Sequence, residues 1–243
     1  MKYYKSNAVY DNLEMNSCFS WVSGNAWILI YGDYSFEPKL IVFVHGSSWK
    51  IDDSVLSYVS SISSRTSVPA IRIEFDDLSN EIEFVKIHKG SGDQLNLQLD
   101  DLKKLFFKYG VPVNDGLCVK AVNDSTSSAY HNWQRSFLGT IVVSDVDLIK
   151  IKNESVEALV ELKRSFVSLD KWMPYKADYP NFRLISNLCD RGGFKFFIAY
   201  NVRHTRPLFF DDVSFIKLFD FDAGFNLSQV SILNFKEFSN GLF

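Results

Sequence analysis

Asp145, Asp147, Glu161 and Lys163 are the residues of this 243-residue chain whose types and spacing suit catalysis. They lie in the stretch Ser144-Asp-Val-Asp-Leu-Ile-Lys-Ile-Lys-Asn-Glu-Ser-Val-Glu-Ala-Leu-Val-Glu-Leu-Lys163. Side chains alternate faces along a strand, so Glu161 and Lys163 point the same way, and Asp145 and Asp147 share a face where the chain is extended. A hairpin turning at Asn153-Glu154-Ser155 brings Asp147 opposite the Glu161–Lys163 end. Two or three carboxylates and one ammonium then gather at the end of a sheet. Carboxylates that close repel one another unless a cation lies between them, and an oxygen-rich set suits Mg2+ or Mn2+. Such an ion holds a scissile phosphate, lowers the pKa of an attacking water and stabilises the leaving oxygen. Lys163 would position or deprotonate that water, or neutralise charge in the transition state. The chemistry implied is hydrolysis of a phosphodiester.

The elements that must position these residues are written in the hydrophobic pattern. Runs at Trp27–Tyr31 and Lys39–Val44 read as strands. Val55, Val59 and Ile62 recur at helical spacing after Asp52/Asp53, which can cap. Ala70–Phe75 alternates apolar and polar residues as a half-buried strand does, with Ile82–Ile87 as its neighbour. A helix is expected from about Asp93 to Tyr109, stopped by Gly110. The segment Gly110–Gly116 is the linker candidate, so the expected division is 1–110 and 117–243. The second part begins with a strand at Leu117–Val122. A helix follows, capped by Asp124 or a nearby Ser/Thr, with Tyr130, Trp133 and Phe137 on its core face and His131, Gln134 and Arg135 on another. After the Asp147–Lys152 and Val156–Lys163 hairpin comes a helix opening at Pro180 and ending at Gly192-Gly193. Strands are expected at Phe194–Asn201, Val213–Phe219 and Val230–Phe235.

Asp147, a hairpin-length gap and then Glu161-Leu-Lys163 resemble the PD-(D/E)XK nuclease superfamily, the restriction-endonuclease-like fold. The order helix, strand, strand bearing Asp, strand bearing Glu-x-Lys, helix, strand is similar as well. The resemblance implies that Asp147 and Glu161 bind metal, that the backbone carbonyl of Leu162 is a further ligand and that Lys163 is the catalytic lysine. Asp145 stands between a metal ligand and a turn residue. A narrower likeness to an uncharacterised bacterial and phage branch of these nucleases covers about residues 117–220. It is carried by Tyr130-His131-Asn132-Trp133-Gln134-Arg135, Lys163-Arg-Ser165, Trp172-Met-Pro-Tyr175 and Asp178-Tyr-Pro-Asn-Phe182. Two features depart from the pattern. No glutamate lies in Asp124–Phe137, leaving His131 or Gln134 as residues that would face the site, and Val146 stands where the motif has proline. Arg135, Lys150, Lys152, Arg164 and Lys171 would touch phosphates or simply be solvated. Trp172 would wall the site or sit in the core, and Arg203-His-Thr-Arg206 would form a loop onto DNA.

Composition bounds the rest. Hydrophobic residues make up 47% and charged residues 23%, with a formal net charge of −3, so this is no polycationic nucleic-acid coat. Residues 1–116 carry 11 basic against 15 acidic side chains, and residues 117–243 carry 15 against 14. An anion-binding surface is therefore expected in the second part. Apolar runs fall short of the roughly 18–20 residues of a membrane helix, and the start does not read as a signal peptide. Cys18, Cys118 and Cys189 are scattered, as reduced core thiols of a cytoplasmic protein would be. His45, His88, His131 and His204 lack zinc spacing, so no zinc site is expected. Phe43-Val-His-Gly-Ser-Ser-Trp49 suggests an α/β-hydrolase oxyanion segment, but no GxSxG elbow accompanies it. No phosphate-cradling glycine loop is present.

The expected fold is α/β (α+β), a restriction-endonuclease-like mixed sheet flanked by helices after a smaller N-terminal α/β domain. The expected function is Mg2+- or Mn2+-dependent hydrolysis of DNA by an endonuclease. A recruiting protein partner on the N-terminal domain, self-association, and a setting in phage defence or mobile-element biology go with the resemblance. The alternative is a catalytically inactive nuclease fold serving as a nucleic-acid-binding or protein-interaction module.

Overall fold

The computed structural model describes residues 7–13, 18–79, 81–89, 93–114, 128–204, 206–208, 210–222, 224 and 226–243. In chain order the elements are α1 (Ala8–Asn12), β1 (Phe19–Ser20), β2 (Ala26–Gly32), β3 (Pro38–Gly46), α2 (Asp53–Thr66), β4 (Ala70–Phe75), β5 (Phe84–Lys89), β6 (Asp93–Gln98) and α3 (Leu99–Lys108). There follow α4 (Ala129–Phe137), β7 (Val142–Asp145), β8 (Leu148–Lys152), β9 (Ser155–Ser165), α5 (Tyr179–Gly192), β10 (Lys195–His204), β11 (Phe210–Phe221), β12 (Leu227–Asn234) and α6 (Phe235–Ser239). The mixed α/β class is as expected, and no described helix is long and apolar enough to cross a membrane.

The division falls elsewhere than expected. One compact unit is Val22–Asp145, and the other joins Ser6–Trp21 to Val146–Phe243. Val111, in the expected linker, is wholly buried in the core of the first unit. α4 buries Tyr130 and Trp133 in that core, and β7 pairs with β2. The burial and pairing of these elements therefore carry the boundary past residue 116 to Asp145. The expected strand at Leu117–Val122, Asp124 and Cys118 lie outside the described residues, while the nearby serine expected as the other cap is Ser128, whose hydroxyl accepts from the His131 N–H at 3.2 Å. One expected helix is also shortened. Residues 93–98 form a strand because Leu95 and Leu97 alternate with Gln94, Asn96 and Gln98, and the helix starts only at Leu99. Phe137, expected in the core, is 47% exposed.

The first unit is a six-stranded sheet in the order β6-β5-β4-β3-β2-β7. β3 and β4 run parallel, and α2 makes the crossover between them, capped by the Asp52 carboxylate on the Ser54 N–H at 2.9 Å. One sheet face, with Leu40, Val42, Val44, Ile71, Ile73, Val85 and Ile87, packs with Leu102 and Phe106 of α3 and Tyr130 and Trp133 of α4. The other face carries buried Ile28, Ile30, Ile41 and Phe43 near β4, and polar side chains toward β5.

The second unit is a six-stranded sheet in the order β1-β8-β9-β10-β11-β12. β9 and β10 are parallel, joined through α5, and the other neighbours are antiparallel. Ala158, Val160, Phe197, Ala199 and Leu218 face Val9 and Leu13 of the N-terminal segment and Phe238 of α6. On the opposite face Phe182 of α5 meets Phe196 and Phe221, with ring centroids 6.1 and 5.7 Å away. Trp172 stacks on Tyr200 at 4.0 Å and 2°. Its carbonyl and that of Asp170 accept from the buried Lys217 ammonium at 2.9 and 3.1 Å, which pins the chain between β9 and α5 to the sheet.

The N-terminal segment is tied down by charge as well as by apolar packing. The Asp211 side chain is 5% exposed and accepts from Arg164 at 2.6 Å, Arg203 at 2.8 Å and the Ala8 N–H at 3.3 Å. Burial alone would raise its pKa, but the two arginines hold it below the ordinary carboxylate value. The folded pKa is thus below the unfolded one of about 3.9, so the stabilisation is present above that pH and drains away as pH falls through the folded pKa. Asp211→Asn is expected to destabilise the protein by about 2–3 kcal/mol at pH 7, less than for a fully buried pair because both guanidinia keep some water. Denaturant titrations at neutral and strongly acid pH check this, with the deficit shrinking on acidification.

Candidate functional site

The hairpin between β8 and β9 builds the site. Asn153 and Glu154 both have positive φ, 50° and 61°, as a two-residue hairpin loop of the right twist requires. The ladder shifts by one at a bulge between Lys150 and Ile151 and then pairs Leu148 with Val160. One residue further, the same register sets Asp147 beside Glu161. Asp147 lies just past the strand end, where its Oδ2 accepts from the Leu162 N–H at 2.6 Å and its Oδ1 from the Tyr10 hydroxyl at 3.0 Å. An extended residue turns its N–H and C=O to one side of the strand, so the Leu162 carbonyl looks toward the same end.

Glu161 and Lys163 occupy the α5 face of β9, while Leu162 and Arg164 occupy the other. Glu161 is 5% exposed. Its Oε1 lies 2.8 Å from the Lys163 ammonium, which also sits 5.5 Å from the centroid of the Phe182 ring. Burial works against the charge on Lys163, but Glu161, Asp178 and Asp147 together hold its pKa well above the ordinary lysine value. Asp178 closes a 3-10 turn, Lys176–Asp178, that leads directly into α5. The hairpin thus brings Asp147, Glu161 and Lys163 together. Tyr10 joins them through Asp147, with nothing in its local sequence to mark it, and Asp178, first residue of the Asp178-Tyr-Pro-Asn-Phe182 motif, acts on Lys163 by its charge.

Other expected site residues lie elsewhere. Asp145 ends β7, opposite Leu29 in the first unit, and its side chain is exposed. His131, Gln134 and Arg135 belong to α4 of the same unit, because the apolar residues of that helix fill the core there. His131 lies edge-on to Trp27 at 4.6 Å and meets the Ser128 hydroxyl at 2.8 Å. Burial, then the nearby Arg135 charge, pushes its pKa down to about 4. Gln134 is buried and accepts from the Tyr31 hydroxyl at 2.5 Å. Arg164 turns to the opposite sheet face and binds Asp211. Trp172 is 2% exposed and belongs to the core by its stacking on Tyr200. Lys150, expected near phosphates, is buried against the Phe243 ring and pairs with Glu157 at 3.0 Å. Arg203 and His204 lie in β10 rather than in a loop.

The isolation expected for the four histidines is also corrected. His45 on β3, Glu74 on β4 and His88 on β5 each place a ligand-type atom within 4.8 Å of the others. Cross-strand register, which pairs His45 with Glu74 and His88 with Arg72, makes this cluster. The alternation Arg72-Ile-Glu74 beside Lys86-Ile-His88 is the only local trace of it.

No family model matches this chain, and neither the curated proteins nor the solved structures contain a match to it.

Proposed function

We propose that the second unit is a metal-dependent nuclease domain that hydrolyses phosphodiester bonds in DNA. The observation that carries the reading is the buried Glu161–Lys163 pair with Asp147 beside it at one strand end. The parallel β9–α5–β10 unit behind it supplies a rigid support.

The donor set suits a hard divalent cation, because Asp147, Glu161 and the Leu162 carbonyl offer only oxygen. Those three would hold it, and a bound Mg2+ or Mn2+ supplies Lewis acidity to water and to the scissile phosphate. Asp147 reaches that task already oriented by Tyr10 and the Leu162 N–H. Lys163, held as an ammonium by its carboxylate neighbours, is a hydrogen-bond donor. It orients the attacking water and neutralises charge building on the phosphate, rather than accepting a proton. The alternative of a silent nucleic-acid-binding module has its own support. Both Asp147 oxygens already accept hydrogen bonds, and the Lys163 ammonium already neutralises Glu161.

A cleavage assay on supercoiled, linear and single-stranded DNA, with Mg2+, Mn2+ or EDTA, tests the reading. Wild type is expected to cut only with metal, and Asp147→Asn and Lys163→Met to lose about 10²–10³-fold in rate. Cutting that survives both substitutions would overturn the assignment. Salt-sensitive DNA binding by folded wild type without cutting would support the silent module instead. A thermal-denaturation series gives a second readout independent of turnover. Mg2+ at about ten times its Kd is expected to stabilise wild type by about 1.4 kcal/mol and to leave Asp147→Asn unchanged.

A further inference from the structure

We propose that His45, Glu74 and His88 form a second metal site, in the first unit, for a borderline-soft divalent cation of the Zn2+ class. The three side chains project from neighbouring strands onto one sheet face, the face opposite the α3 and α4 core. Imidazole and carboxylate together are the donor set that such ions take, whereas Mg2+ favours oxygen alone.

The tautomer of His45 and the orientation of Glu74 are already set. The Gly46 carbonyl can only accept, so the contact at 2.9 Å fixes the His45 proton on Nδ1 and leaves the lone pair on Nε2. The Arg72 Nε–H, which can only donate, meets that Nε2 at 3.1 Å and agrees with the tautomer. The end of β3 at Gly46 is itself clamped. The Asp77 carboxylate accepts from the Ser48 N–H at 3.0 Å, the Ser48 hydroxyl at 2.5 Å and the Asn25 amide at 2.8 Å. It sits where a Cβ on residue 46 would come within 2.3 Å of its carboxyl carbon, so only glycine allows this closure. Lys86 occupies Glu74 Oε1 at 2.8 Å and leaves Oε2 facing His88 Nε2 at 3.2 Å. That separation already matches the roughly 3.3 Å edge of a tetrahedral site with bonds of about 2.0 Å.

Arg72 is the counterpart that makes the site complete without metal. Its guanidinium puts positive charge against the His45 lone pair and, through its field, beside Glu74. Metal binding replaces that contact. Arg72 withdraws from Nε2, His88 moves its proton from Nε2 to Nδ1, and His45 closes inward by on the order of 1 Å to complete three ligands. A water takes the fourth position of a tetrahedral ion. No proton is lost from the protein in this exchange, because the His88 proton only changes nitrogen.

Isothermal titration with Zn2+, and absorption spectra with Co2+, test the proposal on the full chain. Wild type, Glu74→Gln, His88→Gln, Arg72→Gln and Asp147→Asn are compared, each verified as folded by circular dichroism. Wild type is expected to bind one Zn2+ at this site and to give the visible bands of four-coordinate Co2+. Glu74→Gln and His88→Gln are expected to weaken binding by at least about tenfold, since even outer-shell losses cost that much. Arg72→Gln is expected to tighten it, by removing the competing cation, and Asp147→Asn to leave the bands unchanged. Folded wild type that takes up no Zn2+, or binding that Asp147→Asn abolishes and His88→Gln does not, would overturn the proposal.

Discussion

Strand register is the constraint on which the candidate chemistry rests. A β-strand gives each face every second residue, so a slip of one position in the β8–β9 hairpin would send Glu161 and Lys163 to the opposite face. Their places would be taken by Leu162 and Arg164. The two-residue turn at Asn153 and Glu154 sets Lys152 opposite Ser155, and a bulge between Lys150 and Ile151 then shifts the ladder by one so that Leu148 meets Val160. Apolar partners enforce this pairing, since Leu148 and Val160 fit only the face that meets α1 and α6. Parallel pairing with β10 then fixes β9 from its other edge, with Glu161 opposite Ile198 and Lys163 opposite Tyr200. The acidic and basic residues are consequently placed by apolar neighbours that never touch a substrate.

Charge buried in such a place must be balanced. A carboxylate as buried as Glu161 is expensive unless a cation or hydrogen bonds compensate it, and Lys163 at 2.8 Å is that compensation. The same logic operates in the first unit. Glu74 is set between Lys86 and His88 on one side and the field of Arg72 on the other. In both clusters a protein cation stands beside the carboxylate. Each is therefore stable as folded chain, and each would offer a metal ion a place only in exchange for an existing contact. Such a competition lowers affinity but leaves the ligands pre-positioned, which reduces the ordering cost of binding.

How far the sequence reveals this depends on whether the determining contacts are local. The β8–β9 hairpin was legible because turn, alternation and motif all lie within residues 147–163, and the helix opening at Pro180 and ending at Gly193 has both its signals in place. The Asp93–Tyr109 segment misleads because Leu95, Leu99 and Leu102 satisfy a helical stripe while Leu95 and Leu97 satisfy a strand. Pairing with β5 decides between the two over residues 93–98. The domain boundary was hidden for a related reason. Turn-forming residues at 110–116 announce a break in secondary structure, not a break between cores, and Val111 follows the core of the first unit. Asp145 and Asp147 stand two residues apart yet end up in different units, because β7 is claimed by β2 and β8 by β9. Tyr10 reaches Asp147 from 137 residues away, which no local pattern can encode.

The two clusters differ most in what their atoms can hold. The strand-end group of the second unit offers carboxylate and peptide oxygen, with an ammonium as the resident cation. The group in the first unit offers two neutral imidazoles and one carboxylate oxygen, with a guanidinium as the resident cation. Hard cations that keep their water shells gain little from imidazole, and borderline cations gain much from it. A chain carrying both sets can separate the two kinds of ion by donor chemistry alone. Neither cluster depends on the other, since each is fixed by the register of its own sheet. A cation that stabilises one without the other is thus the natural probe of either, and the imidazole pair is the donor set that would favour a zinc-class ion over magnesium.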